Sequence, residues 1–273
     1  MASNVSVSDS RSRSAALQSY FDRWQQHEPE LGLIEPFLPA TARLAELCWF
    51  SLIHEFEQTM FRPAEPTVSA VKLRWFAQDL AAADGGRHPL AKALFVNLAL
   101  DAPSWRQLPW SEWAEQALLL SQPGESPADL DHWLAAWQPF AQALAEIESK
   151  LLGHRLSASW LTPLLAGRRL LKDLQLNGDK AVLPLSLWLE GGEGSSNALF
   201  GAHARARWQA LEVRLAPALS LEKGVAGPVR QLQSRHLCRQ LRQLCRNGAL
   251  PESAFSPWHR LWDTWQASRR AAS

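Results

Sequence analysis

Tyrosine is nearly missing from this chain: a single Tyr stands against 14 Trp and 10 Phe. Cysteine is scarce as well. The three present, Cys48, Cys238 and Cys245, lie in apolar settings, and an odd number builds no disulfide framework and fits a reducing compartment. Neither sign of charge is in excess, because 28 Lys+Arg face 27 Asp+Glu and leave a formal net charge of +1. No global field therefore draws the protein to nucleic acid or to an anionic membrane, and any electrostatic function has to be local.

Long apolar runs are lacking too. Stretches such as 93–96 and 117–120 fall far short of the ~20 residues needed to span a bilayer. The opening MASNVSVSDSRSRS has no continuous apolar stretch of the kind a secretory signal carries, and Asp9 with the missing apolar face argues against a transit peptide. Residues 1–14 are expected to be a disordered tail, and the whole to be a soluble, cytoplasmic protein with no transmembrane segment. There is no G-x-S-x-G elbow, no glycine-rich phosphate loop and no pair of histidines at metal spacing. Cys238 and Cys245 sit seven apart near His236, without the C-x-x-C spacing of common zinc sites, and are expected to be structural. Sustained period-two alternation and internal repeats are also absent, so strands are expected only as short pieces and a solenoid is not favoured.

What the chain does carry is helical periodicity. Trp49, Leu52, Ile53, Phe56 and Met60 follow i, i+3, i+4, i+7, i+11, the stripe of a core-facing helix, and Leu161, Leu164, Leu165, Leu171 and Leu174 do much the same. Gly and Pro punctuation between such stripes predicts helices over 12–27, 41–61, 67–83, 89–100, 110–120, 127–153, 158–176, 197–220, 226–247 and 256–271. Thr67, Ser111, Ser126 and Ser196 are the expected caps. The expected architecture is all-α, a single helical domain over 15–273. Trp is expected mainly in the core, with Trp49, Trp75 and Trp133 as examples on apolar stripes.

Two sets of charged residues stand out. Arg235, Arg239, Arg242 and Arg246 fall on one helical face, either a solvated surface or a site for an acidic partner, with no interleaved aromatics to stack bases. The other set is acidic. Magnesium chemistry on diphosphates wants carboxylates three or four residues apart on facing helices. Glu57 has Met60 and Phe61 at those offsets, and Asp173 has Leu176 and Asn177.

FSLIHEFE (50–57), EPTVSAVKLRWFAQDL (65–80) and GGRHPLAKAL (85–94) occur in that order. They are followed by LDHWLAAWQPFAQALAEIESKLLG (130–153), LLAGRRLLKDLQLNGDKAVLPL (164–185) and SPWHRLWDTWQASRRA (256–271). This succession resembles the squalene/phytoene synthase family over about residues 40–270. The resemblance lies in the order of several short motifs. It implies an isoprenoid-synthase-like bundle around a central cavity, where active members hold magnesium on two aspartate-rich motifs and join two prenyl diphosphates.

Carried over residue by residue, the resemblance makes Glu55, Glu57, Lys172 and Asp173 the remnants of those motifs. Gln58, Phe61 and Arg62 stand at the other acidic places of the first motif, and Asn177 replaces a later acid of the second. It therefore implies a degenerate member that has lost magnesium-dependent condensation and has a binding or assembly role. No metal or other cofactor is expected. The implied partners are an isoprenoid diphosphate or hydrophobic ligand, or a protein, and no specific nucleic acid. The alternative is an active head-to-head prenyltransferase, with magnesium and with carboxylates drawn from Asp79, Glu146 or Glu148. A third reading makes the arginine stripe a module for an acidic partner.

Overall fold

A computed structural model describes residues 4–29, 31–61, 66–82, 84–122, 126–178, 181–189, 199–201, 204–219, 225–249 and 257–271. Every regular element among them is a helix, and none of these residues lies in a strand. The all-α expectation holds. The chain gathers into two compact units, Met1–Gln122 with Glu146–Gly153, and Pro123–Ala145 with His154–Ser273.

The first unit contains α1 (Asn4–His27), α2 (Arg43–Phe61), α3 (Pro66–Leu80), α4 (Pro89–Asn97), α5 (Ala102–Arg106) and α6 (Trp110–Ser121). Helix α1 takes in most of the segment expected to be a disordered tail. No Gly or Pro interrupts 4–27, so nothing in the sequence stops the helix, and Phe21 and Trp24 bury its last turns. The α2 stripe forms as its spacing dictates: Trp49, Leu52, Ile53, Phe56 and Met60 are all buried. Against them Phe56 stacks on Trp113 with ring centroids 3.8 Å apart, and Trp105 and Trp110 fill the space beside Trp49 and Trp113. Each such ring contributes about 1.5–3 kcal/mol or more of burial free energy, so this aromatic layer is the main anchor of the unit. Three indole N–H groups of the layer find acceptors: Trp49 on Glu148 Oε2 at 3.0 Å, Trp105 on the Leu80 carbonyl, and Trp110 on the Trp105 carbonyl at 3.1 Å.

Helix α7 (Leu130–Leu152) starts in the second unit and ends in the first. The second unit continues with α8 (Ala158–Asn177), α9 (Leu185–Leu189), α10 (Arg205–Leu215), α11 (Pro228–Asn247) and α12 (Pro257–Ala271). The five leucines read as the α8 stripe are all buried. Gly167 lets α8 lie close to its neighbours, since a Cβ there would come within 2.9 Å of Leu237 and 3.1 Å of Leu215. Gly248, in the left-handed region at φ 63°, ends α11 as a C-terminal cap whose N–H returns to the Leu244 carbonyl.

Boundaries agree with the periodicity to within a few residues over most of the chain, whereas the caps do not. Thr67 lies inside α3, α6 begins after Pro109 with Ser111 already in its first turn, and Ser126 precedes α7 by four residues. Asp101, Asp129 and Ser157 do the capping instead, accepting from the N–H groups of Ser104, His132 and Trp160. A cap is chosen by where packing starts the helix, and the serines lay a few residues off that point. Ser196 lies outside the described residues. Trp75 corrects the core expectation: it is 39 % exposed, while Trp49 is fully buried and Trp133 nearly so. All three cysteines are free thiols, and burial pushes Cys48 up to about 12, which leaves it unreactive.

Candidate functional site

In the first unit the acidic stretch of α2 meets α1. Glu55 lies on the same face of α2 as Ser51 and Thr59, one turn to either side, and Arg23 reaches across from α1 to place Nη1 3.0 Å from Glu55 Oε1 and 3.2 Å from Oε2. Burial pushes the Glu55 carboxyl up, while Arg23 and His27 pull it back without cancelling the shift. His27 lies against His54, ring centroids 5.0 Å apart, and holds its own orientation through Nδ1 on the Arg23 carbonyl at 2.8 Å. The Arg23 guanidinium also sits over the Tyr20 ring at 4.9 Å.

Beyond Tyr20 lies His88, immediately before α4, its ring 5.4 Å from those of Tyr20 and Phe76. Burial lowers His88 to about 4; Asp79 acts in the opposite sense and Arg23 in the same one. The imidazole is therefore neutral at pH 7. Asp79, itself buried, accepts the backbone N–H of Arg87 at 3.0 Å and of His88 at 2.8 Å, so it fastens the end of α3 to the start of α4. Tyr20, Arg23, His27, His54, Glu55 and His88 thus form one polar cluster on α1, α2 and the start of α4. Within it the Arg23 guanidinium is taken up by the Glu55 carboxylate.

Glu57, two residues on from Glu55, is half-buried on a different face of α2, and Phe61 is half-buried at its end. Arg62 lies outside the described residues. The second remnant motif belongs to the other unit. Asp173 on α8 takes the Asn177 side-chain N–H on Oδ1 at 2.6 Å and the Arg169 guanidinium on the same oxygen at 3.5 Å. Its Oδ2 takes the Val182 backbone N–H at 3.2 Å. Asp173 therefore ties the end of α8 to the chain that follows it, and the neighbouring Lys172 is half-buried. Among the described residues no group of three or more His, Cys, Asp or Glu is placed to hold a metal ion.

The arginine stripe forms on α11, and acids of its own unit meet most of it. Arg239 lies 2.7 Å and Arg235 3.5 Å from the same Asp263 oxygen on α12, and Arg242 lies 3.5 Å from Glu212 on α10. Arg246 is exposed near the helix end. The acids raised as alternatives are engaged as well: Glu148 accepts from Trp49, and Glu146 pairs with Lys150 at 2.8 Å.

The second unit also has a cleft of about 350 Å³, lined by Leu134, Ala135 and Gln138 of α7, Ser159, Thr162 and Pro163 of α8, and Arg214 of α10. Arg214 is held at its edge by Asp131. Both walls carry a helix-interior proline, Pro139 and Pro163, which have no N–H to give the carbonyls of Ala135 and Ser159. The Thr162 hydroxyl, on a residue 5 % exposed, has no hydrogen-bond partner among the described residues. Mostly apolar walls with a few unspent polar groups are the usual make-up of a small-molecule site.

Of the residues taken from sequence, the structure joins Glu55 to a cluster, and joins Asp173 and three of the arginines to partners. Arg23, His27, His54 and the cleft were missed. The H-P pair at 88–89 was a legible signal for His88, whereas Arg23 lies 32 residues from Glu55 and no spacing rule links them. Comparison of the chain with protein-family models, with curated proteins and with solved structures found no match.

Proposed function

We propose that this chain is a squalene/phytoene synthase-like helical protein that no longer condenses prenyl diphosphates, and that it acts in binding or assembly. The observation that supports this reading is the state of Asp173. Both of its oxygens receive protein donors, and the donor on the i+4 side chain is the amide of Asn177. A magnesium site needs an acid there, with both carboxylates turned to the ion and its waters. An amide in that place donates to Asp173 itself and leaves no charge to share a cation. Glu55 is likewise drawn onto Arg23. What remains for binding is the cleft between α7, α8 and α10, which suits a small hydrophobic ligand carrying a polar end.

Incubation with farnesyl or geranylgeranyl diphosphate and magnesium tests the proposal. The expected result is no squalene, no phytoene and no released pyrophosphate. Measurable turnover of either substrate sinks it. The active alternative would then be examined through Glu57→Ala and Asp173→Ala, which should each abolish that turnover.

A further inference from the structure

Helix α12 is amphipathic in the wrong sense for a surface helix in water. Its inward face is polar: Asp263 is 2 % exposed and Thr264 fully buried, with Ala267 beside them. Asp263 takes Arg239 and Arg235 of α11, and the Thr264 hydroxyl donates to the Arg260 carbonyl at 2.7 Å. Its outward face is apolar. Trp258 is 80 % exposed, Leu261 39 %, Trp262 55 % and Trp265 37 %, at i, i+3, i+4 and i+7 on one stripe. The Trp262 and Trp265 rings lie 4.9 Å apart, and the Arg269 guanidinium covers Trp265 at 5.1 Å, extending the stripe by one turn. Isolated apolar residues on a surface are ordinary. A run of three tryptophans and a leucine along one helix, with the ion pairs turned inward, marks a face that something covers.

Charge decides what covers it. The one acid of α12 is Asp263, which is spent on arginines; Arg260, three residues before it, lies on the same inward side, and Arg269 falls on the stripe at i+7 from Trp262 and i+4 from Trp265. An apolar stripe that carries Arg269 against Trp265, and no acid, complements an anionic lipid surface. Tryptophan suits that boundary, because its ring enters the acyl region while its N–H stays with the headgroups. No described helix is long and apolar enough to cross a membrane, so the helix would lie in the plane of the surface.

We propose that α12 seats the protein on anionic membranes, with Trp258, Leu261, Trp262 and Trp265 entering the headgroup boundary and Arg269 engaging lipid phosphates. The proposal is independent of whether the chain turns over prenyl diphosphates. The full chain would be sedimented with phosphatidylcholine vesicles, and with vesicles that also contain phosphatidylglycerol. Binding to the mixed vesicles is expected, weakened by salt, with a blue shift of tryptophan emission and quenching by brominated acyl chains. Replacing Trp258, Trp262 and Trp265 together by Ser should weaken partitioning more than about tenfold, with an unchanged circular dichroism spectrum. Arg269→Glu should weaken binding to the mixed vesicles alone. Three results would overturn the proposal: no binding to either vesicle, absence of quenching on bound protein, or wild-type binding by a folded triple-Ser variant. A concentration-dependent dimer that the triple variant abolishes would assign the face to a second copy and overturn it equally.

Discussion

If Asp173 is a structural tie and not a metal ligand, Asp173→Ala should cost stability by an amount that magnesium does not change. The side chain is mostly buried and receives three donors, of which Asn177 and Val182 are the well-placed pair and Arg169, at 3.5 Å, the weak one. Net contributions of about 0.5–1.5 kcal/mol per hydrogen bond, at the low end because these sites border solvent, give about 1–2 kcal/mol in all. Urea unfolding of the wild type and the variant, with and without magnesium and inorganic pyrophosphate, reads this directly. A working metal site predicts a different pattern. Ligand at about a hundred times its dissociation constant would stabilise the wild type by about 2.7 kcal/mol and leave the variant unmoved. The reasoning fails if the wild type gains stability with magnesium and the variant does not. It also fails if Asp173→Ala unfolds at the wild-type midpoint.

Asp79→Ala should destabilise the first unit by about 3–4 kcal/mol, because two backbone N–H groups at the start of α4 lose a charged acceptor; Asp79→Asn should lose less, and equal midpoints for the two variants would contradict the capping role. For His88 the folded pKa of about 4 lies below the ordinary value near 6.5. Its neutral form therefore adds nothing above pH 6.5 and costs stability as pH falls, up to about 3 kcal/mol by pH 4. His88→Phe, which keeps a ring against Tyr20 and Phe76, should lose less stability than the wild type between pH 7 and pH 5, and parallel profiles would refute this. Asp263→Asn should destabilise by about 3 kcal/mol, since two arginines and His236 meet that buried carboxylate; thermal melting that moves by less than a degree would argue against the pairing.

The helices were legible because their cause is local. The α2 and α8 stripes repeat every 3.6 residues, and Asp84-Gly85-Gly86 and Asn177-Gly178 stop the chain where a helix cannot continue, so periodicity and punctuation carry the information. Capping was less legible, because the first residue of a helix is set by what it packs on. The site was legible only in part. Glu55 and Asp173 could be picked out by resemblance, but nothing in their neighbourhoods names Arg23 or Val182 as partners.

Sequence by itself determined an all-helical chain, near-neutral in charge, with no apolar run long enough for a bilayer-spanning helix and with no acid three or four residues after Glu57 or Asp173. Tertiary structure alone decided how those groups are used. The arginines of α11 read as a solvated stripe until Asp263, some 24 residues beyond Arg239, is brought against them from α12. That pairing turns the polar face of α12 inward and leaves its tryptophans facing out. Period 3.6 fixes which residues share a face, but only packing between helices distant in sequence decides which face is buried.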